Sequence, residues 1–301
     1  MYLIDTHCHL HDREFFSEDQ AAQMLKNAHA RGIEQIICIG TSHEDSLNAK
    51  AFAGSHDNVF WTYGIHPEFA RGETVSSPSA SAGYGRGSAS ATPATAGGRD
   101  LRPTERAVDR KRANSALVAI GEVGLDYHYP GYDRQKQIEL LEQMLDLAIK
   151  LSLPCSFHVR DAFDDFFPVV QNFTGLRPSV LHSFTDNKAH LDYALSHGFY
   201  VGINGILVNH SAEFDWVKDL KNNLPLDRIV LETDAPFLTP VPNRGKINEP
   251  GNVADVASWL AKKIGVSSDK IAEWTTKNAR TIFNLPHPEP DHGADPRAQL
   301  S

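Results

Sequence analysis

Short apolar runs followed by helix-length segments recur along this chain, and most of the runs end at a residue able to bind a metal. The runs are 2–4, 35–40, 59–64, 116–121, 154–157, 179–181, 199–203 and 229–231. Continuous apolar runs of this length mark strands buried on both faces, the condition of a parallel sheet covered by crossover helices. Helical spacing fills the intervals at 18–30, 44–53, 133–151, from 162, at 188–197 and around 214–220, and then at 253–264 and 270–283. This rhythm predicts an α/β fold, either a (β/α)8 barrel or a doubly wound open sheet. The polar residues decide between them. His7 and His9 follow the first run, Glu122 the fourth, His158 the fifth, His182 the sixth and Asp234 the eighth. In a TIM barrel the carboxyl ends of all these strands open on one face, the face on which active sites are built.

The residue types at those ends suit a divalent cation. Residues i and i+2 of an extended segment point the same way, so His7 and His9 present two imidazoles to one side. Neutral imidazole is a good ligand for zinc-like ions. The inventory is four imidazoles and two carboxylates, more than one such ion takes from a protein while keeping a position open. Two ions sharing a bridging carboxylate and water would use all six. Such a pair acidifies water and clamps the attacking and leaving oxygens of a displacement at phosphorus. Hydrolysis of a phosphate or acyl ester is the expected reaction class. Cys8 should point away from its flanking histidines.

At 301 residues the chain can bury a large core, and its net charge of −9 argues against a general nucleic-acid-binding surface. A bound cation can still neutralise phosphate locally, so a nucleic-acid substrate stays open. No apolar run approaches the ~20 residues needed to span a bilayer. Cys8, Cys38 and Cys155 are widely spaced in apolar surroundings; buried, reduced thiols in a cytoplasmic protein are expected. Residues 1–285 are read as one barrel domain. It is interrupted at about 75–115 by a stretch of Ser, Ala, Gly, Thr and Pro with a charged second part. Such a composition buries too little apolar surface to offset its ordering entropy, and much of it is expected to be disordered. The tail 286–301 should be loose.

The motifs carry a resemblance. Asp5-Thr6-His7-Cys8-His9, Gly64-Ile65-His66-Pro67, Gly121-Glu122-Val123-Gly124-Leu125-Asp126, His158-Val159-Arg160-Asp161, Leu181-His182-Ser183-Phe184, Glu232-Thr233-Asp234-Ala235-Pro236 and 244–250 occur in this order. Together they resemble the TatD family of metal-dependent deoxyribonucleases. The resemblance implies a metallohydrolase in which His7, His9 and Asp234 hold one ion, His158 and His182 the other, and Glu122 bridges. It makes Glu122 and Asp234 the catalytic carboxylates, DNA (single-stranded or at ends) the substrate, and Zn²⁺, Mn²⁺ or Mg²⁺ the ions. His-rich ligation favours a transition metal over Mg²⁺. One departure is Asp186, where the family has Gly; a carboxylate there would repel phosphate or recruit a cation. Arg160 and His66 are read as substrate-binding, Arg160 for its phosphate-matching fork; the competing reading of Arg160 is an ion pair with Asp161 or Asp126. Other open readings are an amidohydrolase acting on cyclic amides or phosphotriesters, an aminoacyl-tRNA ester hydrolase, and a metal-dependent scaffold or export component.

Overall fold

A computed structural model describes residues 2–70 and 117–287. The stretch expected to be disordered and most of the expected loose tail fall outside these residues. The strands are β1 Leu3–Cys8, β2 Ile33–Cys38, β3 Val59–Tyr63, β4 Leu117–Asp126, β5 Cys155–Arg160, β6 Val180–Leu181, β7 Tyr200–Ile203 and β8 Ile229–Leu231. The helices are α1 Glu18–Ala30, α2 His43–Gly54, α3 Arg134–Leu151, α4 Phe163–Gln171, α5 Lys188–Ser196, α6 Gly205–His210, α7 Leu220–Asn223, α8 Val253–Ile264 and α9 Ser268–Phe283. Each strand pairs in parallel with its successor in the order β1 to β8. The chain leaving β8 returns to β1: Asp234 N–H donates to the His7 carbonyl (2.8 Å) and His9 N–H to the Ala235 carbonyl (2.7 Å). These bonds close the sheet into the expected TIM barrel.

Local sequence explains the helices. Ser17 accepts the Gln20 N–H while the Gln20 side chain accepts the Ser17 N–H, a capping box that starts α1. Asp133 caps α3, whose core face carries Leu141, Met144, Leu145 and Ala148. Gln137 is buried on that same face. Its amide accepts from Asp126 N–H and donates to the Asp126 carbonyl, both at 2.8 Å, and so fixes the end of β4. Ile4, Ile37, Val118, Val180 and Val230 cluster with Ala279, Ile282 and Phe283 of α9. That helix bonds the amino ends of the strands, with Thr276 donating to the Tyr2 carbonyl and Asn278 to that of Ile229. The opposite end of the barrel carries the polar residues. Cys8, Cys38 and Cys155 are buried free thiols, and Cys8 Sγ points at the Ile37 carbonyl, away from the histidines. No helix among the described residues is long and apolar enough to cross a membrane.

Several boundaries differ from the sequence reading. β1 runs on through His7, and β4 continues five residues past the expected end at Gly121, so Glu122 lies inside a strand rather than after it. His158 and Arg160 are likewise the last turns of the pleat in β5. Polar residues in a strand look like strand ends when only hydrophobicity is read. The helix expected around 214–220 is a pair of 3-10 turns, Ser211–Glu213 and Asp215–Asp219, preceded by the unexpected α6. Asn204 caps α6 by accepting the Ile206 N–H. Gly205 is required because a Cβ there would sit 1.7 Å from the Leu238 carbonyl oxygen.

Candidate metal centre

Four strands and the segment after β8 deliver six ligand-type side chains to one point. His7 and His9 come from β1 and its end, Glu122 from β4, His158 from β5, His182 from the residue after β6, and Asp234 from beyond β8. His7 Nε2 lies 3.4 Å from Glu122 Oε2 and 3.6 Å from Asp234 Oδ1. His9 Nε2 lies 3.5 Å from Asp234 Oδ1 and 3.9 Å from Glu122 Oε2. These gaps are long for hydrogen bonds, but ligand atoms arranged tetrahedrally about an ion at ~2.1 Å are roughly 3.4 Å apart. His7 Nε2 is fully buried without a hydrogen-bond partner. The donor set therefore fits a cation.

The other oxygen of Glu122 faces a different set. Oε1 is 2.9 Å from His158 Nδ1, 3.9 Å from His182 Nε2 and 3.8 Å from His66 Nε2. Three-residue groups with converging ligand atoms are His7, His9 and Glu122; His7, His182 and Asp234; and His66, Glu122 and His158. His182 thus lies between the two halves, its ring stacked on His7 at 3.5 Å. His66, read as a substrate contact, stands at the ligand cluster itself.

Neighbouring groups choose which ring nitrogen each histidine offers. His9 Nδ1 donates to the Ile39 carbonyl at 3.0 Å, leaving Nε2 for the centre. His158 is reversed: Nε2 contacts Asp126 Oδ2 at 3.0 Å, so Nδ1 faces Glu122. His182 Nδ1 lies 2.9 Å from Glu232 Oε1. Glu232 is buried and also accepts from Ser183 N–H and Asn204 Nδ2. A Cβ at Gly202 would lie 2.3 Å from the Glu232 carboxylate, so β7 needs glycine to make room. Carboxylates behind histidine ligands fix their tautomer and raise their basicity.

Burial lowers the His158 pKa, but the Asp126 and Glu122 carboxylates outweigh it and raise it to about 10. His182 rises to about 9 against its burial because Glu232 and then Asp234 face it. Burial followed by the charge of His158 pushes His66 down to about 3. Glu122 is held well below the usual carboxylate range: burial opposes this, and His7 and His158 overcome it. Asp234 is also depressed despite burial, chiefly by His9. Among the described residues, the close charge partners of these buried carboxylates are histidines.

The sequence motifs assign no site role to Asp126 or Glu232. Asp126 carried a usable signal, because it is four residues after Glu122 on one strand and so shares its face. Arg160 is half-buried, its guanidinium 5.3 Å from the centre of the Tyr129 ring and its Nη1 3.4 Å from the Tyr129 hydroxyl. Neither carboxylate considered as its partner takes it up: Asp126 engages His158, and Asp161 engages His128 at 2.8 Å. Asp186 contacts His190 Nδ1 at 2.9 Å and the Asn187 amide, and stands apart from the six converging side chains.

A family model described as TatD related DNase matches residues 4–284. The chain is 31% identical over 288 residues to an Escherichia coli K12 protein named as an uncharacterized metal-dependent hydrolase, YcfH, covering 95% of this chain and 97% of that one. It is 32% identical over 277 residues to an Erwinia amylovora protein named 3'-5' ssDNA/RNA exonuclease TatD, covering 90% and 95% of the two chains. The crystal structure of YjjV, a TatD homologue from Escherichia coli, shares the fold with a TM-score of 0.76 at 24% identity, covering 94% of this chain and 98% of that one. With this match across the barrel, the chain belongs to the TatD-related DNase family of metal-dependent hydrolases.

Proposed function

We propose that the chain hydrolyses phosphodiester bonds of DNA, at single strands or ends, with two divalent ions held at the barrel mouth. The observation that carries this reading is the division of Glu122: Oε2 faces His7 and His9, and Oε1 faces His158 and His182. His7, His9 and Asp234 would hold one ion, His158 and His182 the other, with Glu122 shared. Zn²⁺ or Mn²⁺ suits the imidazole-rich set better than Mg²⁺. When bound, the ions supply an acidified water and neutralise charge on the phosphate. The name of the Erwinia relative supports nucleic acid as the substrate class.

The chain's own residues then do the following. Asp234 stays ionised, and its carboxylate, 15% exposed at the opening, takes the proton given up by the attacking water. His66 is neutral and its Nδ1 accepts the Glu68 N–H at 3.3 Å, so Nε2 carries a proton that it donates to a phosphate oxygen. Arg160 offers its guanidinium from the rim. Incubation of the reconstituted protein with an end-labelled single-stranded oligonucleotide should give shortened products, which a chelator abolishes. Hydrolysis of carboxylic esters or amides with oligonucleotides untouched would overturn this function.

Three further results are expected. Elemental analysis after reconstitution should give two ions per chain; one ion with all six ligands intact removes the shared-carboxylate reading. Metal uptake at pH 7 should release protons. His158 and His182, at about 10 and 9 without metal, are then protonated and must lose a proton to bind. Affinity should rise from pH 6 towards pH 9, and calorimetry in buffers of different ionisation enthalpy reads the release directly; proton-neutral binding contradicts it. Arg160→Ala should leave metal content unchanged and lower kcat/KM on DNA by the worth of a charge-assisted hydrogen bond, roughly 1.5–3 kcal/mol. Wild-type kinetics would return Arg160 to a structural role.

A further inference from the structure

Two phenylalanines stand exposed on the rim beside the ligand cluster, and the hydrolysis outlined above uses neither. Phe15 lies in the loop after β1 and is 38% exposed; Phe237 follows β8 and is 42% exposed. Their rings meet edge to face with centroids 5.3 Å apart, and the Phe237 ring meets that of His9 edge to face at 6.4 Å. Hydrogen bonds hold the backbone of Phe237 in place. Its N–H donates to the Asp234 carbonyl at 2.7 Å, and its own carbonyl accepts from Asn248 Nδ2 at 2.6 Å. Asn248 is fully buried and also donates to the Thr233 carbonyl at 2.8 Å. An aromatic ring held in water three residues from Asp234 gives up hydrophobic stabilisation that a bound flat group would restore.

We propose that Phe237, backed by Phe15, is the platform on which a nucleobase stacks when its neighbouring phosphate lies at the metal centre. This rests on the phosphodiesterase reading and narrows it to unpaired strands, because a base inside a duplex has no free face to offer. The barrel provides a second aromatic on the far rim. Tyr129 follows β4 and stacks with Arg160 at the end of β5, across the ring of strands from β1 and β8. A strand laid over the centre therefore meets a bare aromatic pair on one side and an aromatic–guanidinium pair on the other. A phenyl face reads no base edge, so the platform tolerates any sequence.

The test uses the full-length, metal-loaded protein and its Phe237→Ala and Phe237→Trp variants. The probes are an end-labelled single-stranded oligonucleotide and matched oligonucleotides with a base-free tetrahydrofuran residue at each of the first three positions from the cleaved end. Phe237→Ala is expected to keep its metal content and lower kcat/KM on the normal strand roughly 5- to 100-fold, with a parallel loss in binding by fluorescence anisotropy. Phe237→Trp should retain activity. At one base-free position the wild type should fall to the level of Phe237→Ala, and the variant should lose nothing further. Equal losses on normal and base-free strands, or no loss at all, overturn the platform while the nuclease reading stands. A wild type that cuts no oligonucleotide but hydrolyses another ester removes both. A dimer in sedimentation that Phe237→Ala dissociates assigns the pair to self-association instead, and also overturns the platform.

Discussion

Glu122→Ala should lose phosphodiesterase activity by at least about 10³-fold, the scale expected when a principal electrostatic element of a reaction centre is removed. It should also fall below two ions per chain. Both expectations follow from one side chain whose two oxygens face two groups of histidines. Its loss leaves His7 Nε2 and His158 Nδ1 without their shared partner. Glu122 N–H is anchored to the Gly40 carbonyl at 2.7 Å, so no other carboxylate is carried into its place by a small backbone shift. Kinetics on an oligonucleotide together with elemental analysis check the result. A variant that keeps activity within tenfold, or keeps both ions, is incompatible with a shared Glu122.

Asp5→Ala should be the most damaging single change to stability near the centre, at roughly 2–4 kcal/mol. Asp5 is fully buried; it accepts the Thr233 N–H at 2.9 Å and the His7 N–H at 3.3 Å, and shares a hydrogen bond with the Thr233 hydroxyl at 2.6 Å. Truncation orphans a buried backbone donor, which alone costs ~1–3 kcal/mol, and leaves a small void. For a chain of this size that lowers Tm by about 5–15 °C. Burial raises the Asp5 pKa above its ordinary value, and the hydrogen bonds from Thr233 and the His7 N–H oppose that rise. Asp5→Asn keeps the oxygen that accepts the Thr233 and His7 N–H groups and should melt closer to the parent than Asp5→Ala. Melting curves of metal-free protein separate the cases; Asp5→Ala within 2 °C of the parent, taken as about 1 kcal/mol or less, contradicts the assignment.

The barrel and the convergence of the histidines and carboxylates on one end of it are legible in sequence because both follow from periodicity. An i, i+2 pair such as His7 and His9 keeps its common side whether or not the strand has ended, so misplacing the end of β1 did no harm. Placing Glu122 after the fourth strand was wrong about the strand and still right about the barrel level. What sequence could not show is how side chains are oriented by neighbours distant in the chain. That Glu232 stands behind His182 depends on Gly202 on β7 leaving room for its carboxylate, a contact no spacing encodes. The use of Nδ1 by His158 depends on Asp126, which depends in turn on Gln137 of α3, a polar residue on an otherwise apolar helix face. How near His66 comes to Glu122, 3.8 Å, is likewise a matter of three-dimensional register that spacing does not encode. The helix read at 214–220 failed because an amphipathic stretch of that length also suits successive 3-10 turns.

The seam between β1 and the end of β8 bears on how the protein is made. Asp5 and Thr233, bonded to each other there, are 228 residues apart in the chain. During synthesis, His7 and His9 leave the ribosome first and wait for Asp234 to follow, at ~5–20 residues per second. An ion that meets the emerging chain before then finds only a pair of imidazoles and holds weakly. Tight loading is thus expected to follow barrel closure, and premature termination before Asp234 should yield chains that fail to retain metal.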